Sequence, residues 1–150
     1  MRDEDALDLI ELIASVFGEY RGCVTDVDGE MPELRGMATY IAQVGGEYWV
    51  AERDGRIVGM GGYGKSGAGL ELKKLYVHRR ERGTGLGARI VDRIEAAAKE
   101  RGAPFIELWS DTRFTTAHAF YEKRGYVRGP DTRELHDLSK TVEYYFRKTL

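Results

Sequence analysis

The chain has 150 residues, 42% of them apolar and 32% charged, with a net charge of −2 at pH 7. That suits one globular domain over residues 1–150 with a single sizeable core, and the even charge balance argues against a nucleic-acid partner. The lone cysteine, Cys23, excludes an intrachain disulfide. The acidic start MRDEDALDLIEL and the lack of an apolar run of membrane length exclude a signal peptide and a membrane partner, so a cytoplasmic protein is expected.

Apolar side chains at Ala6, Leu9, Ile10, Ile13, Val16 and Phe17 have helical spacing, and Asp3, Glu4 and Asp5 stand at the positive end of that helix dipole. Pro32 opens a second predicted helix, with Leu34, Met37, Ile41 and Val44 on one stripe. EYWVAER and RIVGMGGYG flank Asp54-Gly55, a strong hairpin signal, and LELKKLYV follows as a third strand. From Leu86 the period changes. Leu86, Ile90, Ile94 and Ala97 share a helical face flanked by Val91 and Ala98, and Gly102 with Pro104 ends the helix. PFIELWS predicts a buried strand, TTAHAFYEKRG a short helix capped at Gly125, and TVEYYFRKTL a last strand with Val142, Tyr144 and Phe146 inward. Between these, RGPDTRELHDLSK is expected to be a long connection able to cover a site as a lid. The order predicts a mixed α/β sheet with meander and crossover parts.

Two glycine-rich stretches compete as phosphate sites. Gly59 to Ser66 fits G-x-x-x-x-G-K-[ST], but a working P-loop joins a strand to a helix, and here two more glycines and a strand follow. Glycines at 59, 61, 62 and 64 instead mark a strand closely approached by a neighbour. In LYVHRRERGTGLGARIVDRI a strand ends at Val77, and Gly83, Gly85 and Gly87 lead into an amphipathic helix, so bare amides and a helix N-terminus can meet an anion. Lys73, Lys74, Arg79, Arg80 and Arg82 are expected around this turn. A Rossmann assignment fails, because three strands precede the turn and five residues separate it from its strand. A pyrophosphate held by backbone amides is the expectation.

Arg82-Gly83-Thr84-Gly85-Leu86-Gly87, after a strand ending Leu75-Tyr76-Val77, resembles the acyl-CoA signature [RQ]-x-x-G-x-[GA] of the GCN5-related N-acetyltransferase (GNAT) family. Ala117 to Tyr126, AHAFYEKRGY, resembles the family's A-x-x-[LF]-Y-x-x-x-G-[FY] helix, and the element order agrees over nearly the whole chain. The resemblance implies a GNAT-like mixed sheet splayed in the middle, with helices on both faces. It also implies acetyl-CoA as acyl donor, lying in the split with its pyrophosphate on the turn. It assigns cofactor contacts to Leu75, Tyr76, Val77, Arg82, Gly83, Thr84, Gly85, Leu86, Gly87, Ala88, Thr115 and Tyr121. Two departures stand out. The family usually opens with a strand, whereas here a helix begins almost at Met1, so an edge strand is expected to be missing. Phe114 replaces the asparagine often found seven residues before the tyrosine, which leaves polar pantetheine contacts to Arg113, Thr115 or Thr116.

The residues independently support the split. In LELKKLYV the apolar parity changes between Leu72 and Leu75, and one extra residue at Lys73-Lys74, a β-bulge, returns Leu70, Leu72, Leu75 and Val77 to one face. Acetyl transfer needs a base or water chain to deprotonate the amine, and an acid to protonate the departing thiolate. The resemblance names Tyr121 as that acid, and Glu71, eleven residues before Arg82, as a base, against a solvated strand glutamate; Asp111 and Glu107 are lesser candidates. His118 is expected at a core edge rather than in catalysis. His78, His118, His136 and Cys23 have no metal-ligand spacing, and no nucleophile elbow is evident, so direct transfer in a ternary complex without a metal is expected. A small-molecule amine is favoured over a protein amine, with Asp26, Asp28, Glu30 and Glu33 as a candidate acidic rim. A non-catalytic acyl-CoA sensor on the same fold is the alternative, and a monomer and a homodimer both remain open.

Overall fold

A computed structural model describes residues 1–150. After a short 3-10 turn the first helix, α1 (Ala6–Phe17), buries Leu9, Ile13 and Val16 of the predicted stripe together with Leu12, while Ala6, Ile10 and Phe17 are half-buried. The short helix α2 (Val27–Glu30) follows. The expected helix after Pro32 is broken in two: a 3-10 segment, Pro32–Gly36, and α3 (Met37–Val44). Gly36 is the break, with φ −153° and ψ 60°, so Leu34 and Met37 are buried while Val44 is exposed. The strands and helices that follow are β1 (Glu47–Arg53), β2 (Arg56–Ser66), β3 (Gly69–Val77), α4 (Leu86–Glu100), β4 (Phe105–Asp111), α5 (Thr115–Lys123), β5 (Val127–Glu134) and β6 (Val142–Thr149). They form one sheet of order β1-β2-β3-β4-β6-β5. Only β3 and β4 are parallel; the other neighbours are antiparallel. No strand precedes α1 in the sheet.

Helices cover both faces. On one, α4 and α5 pack over Leu70, Leu72, Ile106, Leu108 and Phe146, and all six apolar positions picked out on α4 are buried. On the other, α1 and the segment through Met37 pack over Tyr48, Ile57 and Met60. The long connection expected before the last strand is a correction. Val127–Glu134 is an edge strand, and only residues 135–141 link it to β6. Gly129-Pro130-Asp131 disguises it, because a proline cannot donate to a ladder. The pairing slips between Arg128 and Thr132, which places that proline at a bulge on the sheet edge, where it is tolerated.

The glycines of β2 serve packing, not phosphate. Residues 59 to 66 are continuous strand. A Cβ on Gly61 would lie 2.7 Å from Ile90 Cγ2, and one on Gly59 would lie 3.0 Å from Leu86 Cδ2, so bare backbone lets α4 settle on the sheet. At Gly62 a Cβ would overlap the Glu47 carbonyl and the Tyr48 ring, whereas at Gly64 the nearest atom is a flexible lysine carbon at 3.7 Å. Gly62→Ala is therefore expected to destabilise the fold by roughly 2–3 kcal/mol, the cost of overpacking, and Gly64→Ala by far less. Urea denaturation of the two variants checks this, and equal midpoints would refute it.

Candidate active site

The sheet opens between β3 and β4. Their pairing holds only at Leu70–Ile106 and Glu71–Glu107, and beyond these the strands diverge. A bulge lies in β3 where the opening begins. Met60 pairs with Tyr76 and Gly62 with Lys73, so Lys74 and Leu75 together oppose the single residue Gly61. Lys74 takes φ 53°, a left-handed conformation unusual for a lysine. The expected consequence holds: Leu75 and Val77 join Leu70 and Leu72 in the cluster under α4, while Tyr76 packs with the α1 cluster. The His78 amide donates to the Val58 carbonyl at 2.9 Å. By alternation the N–H groups of Leu75 and Val77 point away from β2, into the gap.

Two cavities of about 480 and 470 Å³ occupy the opening and share Leu75, Tyr76, Phe114, Ala117 and Tyr121. They are the two halves of one cleft through the sheet. The second half reaches the glycine turn. Gly83 and Gly85 take φ 78° and 82°, and a Cβ on either would meet open space, so backbone conformation selects glycine there rather than crowding. The amides of Gly83, Thr84, Gly85, Leu86, Gly87 and Ala88 donate to no group of the chain, and α4 has no side-chain cap. That is a row of free donors at a helix N-terminus, the arrangement that binds anionic oxygen. The turn is fixed from below. Buried Glu81 pairs with Arg53 at 2.8 Å, and Thr84 Oγ1 donates to the Glu81 carbonyl at 2.7 Å. Arg82 reaches Glu19 beyond the end of α1 through two hydrogen bonds of 2.7 and 2.8 Å, and its Nε donates to the Val77 carbonyl at 3.3 Å. Lys73 and Lys74, expected around this turn, lie elsewhere: they pair with Glu71 at 3.1 Å and Glu33 at 2.6 Å in the other half.

Of the residues singled out in the sequence, Leu75, Tyr76, Val77, Arg82, Gly83, Gly85, Leu86, Gly87, Ala88 and Tyr121 line the turn-side half. Thr84 stands in the turn itself, engaged with Glu81. Thr115 does not line the cleft; it is exposed, and its neighbour Thr116 lines it instead. Phe114 has a structural account. Its ring lies 4.7 Å from Tyr20 and 6.1 Å from Phe17, an aromatic cluster joining the start of α5 to the end of α1 across the cleft.

The other half is polar. Glu71 and Asp111 face it from the two separated strands. Asp111 is buried and held by Arg113 at 2.7 Å, whereas Glu107 lies outside the cleft, bonded to Ser66 and, at 2.6 Å, to the Tyr145 hydroxyl. Of the expected acidic rim, Glu30 and Glu33 line the cavity. Asp26 caps α2 by accepting from the Gly29 amide at 3.0 Å, and Asp28 pairs with Arg35 at 2.8 Å. Tyr48, Asp137 and Glu143, which no sequence pattern singles out, also line this half. They come from distant strands and a connection, and no local motif joins them.

Tyr121 stands at the junction of the two halves, 5% exposed. Its hydroxyl has no hydrogen-bond partner in the chain, and Arg124 Nε is the single fully enclosed side-chain atom lacking one, so that hydroxyl opens onto the cleft. Burial pushes its pKa above the ordinary tyrosine value, and neighbouring Tyr76 pushes the same way. His118 is structural: it is buried, its Nε2 lies 2.9 Å from the Asp111 carbonyl, and its ring packs on Tyr144 and Phe146. Burial lowers its pKa.

The family model for the acetyltransferase (GNAT) domain matches residues 44–128. A Bacillus subtilis protein named as an acetyltransferase is 31% identical over 125 residues, covering 83% of this chain and 78% of that protein. A GNAT-family acetyltransferase of Staphylococcus aureus superposes with a TM-score of 0.80 at 22% identity, over 97% of this chain and 92% of its own. The PaiA N-acetyltransferase of Thermoplasma acidophilum, solved in complex with coenzyme A, gives 0.73 at 16% identity over 100% and 96%. No helix of the chain is long and apolar enough to cross a membrane. The domain match and the Bacillus subtilis relative show that the chain belongs to the GNAT acetyltransferase family.

Proposed function

We propose that the protein moves an acetyl group from acetyl-CoA to a primary amine of a small molecule, by direct attack with both substrates bound. One observation carries this reading: a single cleft runs through the sheet from the free amides at Gly83–Ala88, past Tyr121, to a carboxylate-lined cavity. The pyrophosphate of CoA fits the row of amides, with Arg82 held nearby by Glu19. That the Thermoplasma acidophilum protein of the same fold was solved with coenzyme A supports CoA as the donor's carrier. The pantetheine arm follows the open edge of β3, where the Val77 N–H faces the gap.

The chemistry then falls to residues at the bulge. The amine, deprotonated through Glu71 or water, attacks the thioester carbonyl. The Leu75 N–H, turned into the gap, is the donor for the oxyanion that forms. Such a donor is worth roughly 3 kcal/mol of barrier. When the intermediate collapses, the C–S bond breaks and the thiolate takes the proton of the Tyr121 hydroxyl. Burial keeps that proton in place until it is needed.

The clasp over the acceptor half favours a small acceptor. The Val24 amide donates to Ser139 Oγ at 2.8 Å, and the Leu138 amide donates to Glu30 at 3.0 Å, which joins the loop around α2 to residues 135–141. Calorimetry with CoA and with ATP plus magnesium tests the donor site. CoA is expected to bind, with affinity unchanged by Lys65→Ala and at least about tenfold weaker in Gly85→Val, which closes the left-handed conformation at the turn. ATP binding abolished by Lys65→Ala, with no CoA binding, would overturn it. An amine screen following release of CoA thiol tests transfer itself.

A further inference from the structure

The acceptor half carries more negative charge than its own cations balance. Six carboxylates line it: Glu30, Glu33, Glu71, Asp111, Asp137 and Glu143. Four have a cation beside them, with Lys74 at 2.6 Å from Glu33, Lys73 at 3.1 Å from Glu71, Arg113 at 2.7 Å from Asp111 and Arg133 at 2.5 Å from Glu143. Glu30 and Asp137 have none. Glu30 accepts from the Leu138 amide at 3.0 Å, and Asp137 accepts from the Thr141 amide and hydroxyl at 2.7 and 2.5 Å. The Leu138 amide belongs to the residue following Asp137, so both residues stand where α2 joins the 135–141 connection. Burial raises the Asp137 carboxyl, but the bonds from Thr141, with a smaller pull from the Arg113 charge, outweigh it and hold the group below the usual carboxylate range. Both are half-buried; six carboxylates against the four cations Lys73, Lys74, Arg113 and Arg133 leave two negative charges for a cation from outside.

A second observation marks the same cavity as built for a ligand. Tyr48 and Tyr121 line it, are 8% and 5% exposed, and have hydroxyls without a partner in the chain. Tyr48 lies among Glu33, Tyr40 and Glu71, all of them cavity residues. Unpaired hydroxyls, aromatic walls and surplus carboxylates together are the chemistry of ammonium recognition. The amine that attacks must be neutral, so it does not satisfy the surplus charge; a second amine, left protonated, does.

We propose that the acceptor is a linear diamine or polyamine, with the reacting amine between Glu71 and Tyr121 and a second ammonium held by Glu30 and Asp137. This rests on the amine-transfer reading and names its substrate class. An acceptor with a carboxylate in place of the second ammonium would set like charge against like.

The test is calorimetry on the CoA-bound protein with tetramethylene diamine, butylamine and γ-aminobutyrate, each also assayed by thiol release from acetyl-CoA. The diamine is expected to bind about tenfold more tightly than butylamine, with γ-aminobutyrate weakest. Glu30→Gln and Asp137→Asn, singly and together, are expected to bring the diamine toward the butylamine value measured on the same variant, while CoA affinity, the control for folding, stays unchanged. Equal binding of diamine and monoamine, tightest binding of γ-aminobutyrate, or an advantage that survives both substitutions would overturn the proposal. Selective diamine binding with no thiol release from any amine would leave the dication site standing and remove the transfer reading. Thiol release equally fast from butylamine and the diamine, with no binding preference, would do the reverse.

Discussion

Tyr121→Phe is expected to lower kcat about a hundredfold, the usual scale for loss of a general acid, and to leave the KM for acetyl-CoA and the melting temperature nearly unchanged. The substitution removes one oxygen and keeps the ring. The ring's contacts with Phe120, Tyr126 and Phe146 therefore persist. The hydroxyl has no partner to strand, so no buried group loses a hydrogen bond. The effect falls on kcat because the proton matters only as negative charge develops on sulfur. The thiolate is a fairly good leaving group, which keeps the loss near the lower end of the range. The raised pKa adds a second readout. With burial favouring the neutral phenol, Tyr121 stays a proton donor above pH 10, where an ordinary tyrosine ionises. The wild-type rate should therefore not fall on the alkaline side at that pH from this group. Single-turnover measurements with the variant decide the matter. Full kcat under conditions where chemistry limits the rate would make Tyr121 a packing residue only.

What the sequence disclosed followed from how local each signal is. The α4 stripe from Leu86 to Ala98 and the glycines of the turn act through neighbours along the chain, so period and residue type revealed them. The bulge was legible for a sharper reason: parity is strict in a strand, and Leu72 to Leu75 broke it. The β5 strand was hidden because Gly129-Pro130-Asp131 is turn chemistry, and only pairing with β6 overrides it. The acceptor half was the least legible. Glu30, Tyr48, Asp111 and Asp137 come from a short helix, two strands and a connection, and only the tertiary clasp brings them to one cavity. The basic residues misled in the same way. Lys73 and Lys74 are near the turn in sequence, but the strand direction carries them to Glu71 and Glu33.

Deleting Lys74 should do more damage than any substitution at that position. Without the extra residue β3 pairs with β2 in regular alternation, so Leu72, Leu75 and Val77 keep one face, but the local bend and added twist of the bulge are lost. Loss of that bend re-aims the Leu75 N–H in the gap between β3 and β4, and loss of an oxyanion donor lowers kcat by roughly 10²–10³. Lys74→Gly separates the two causes. It removes the same side chain and its ion pair with Glu33, but keeps the chain length and suits the positive φ that a lysine adopts at a cost of about 1–2 kcal/mol. That variant should fold at least as stably as the wild type and lose far less kcat than the deletion. Chemical denaturation and thiol-release rates on both proteins make the comparison. If the deletion keeps wild-type kcat, or if Lys74→Gly loses as much kcat as the deletion, the bulge is not what aims the backbone at the thioester.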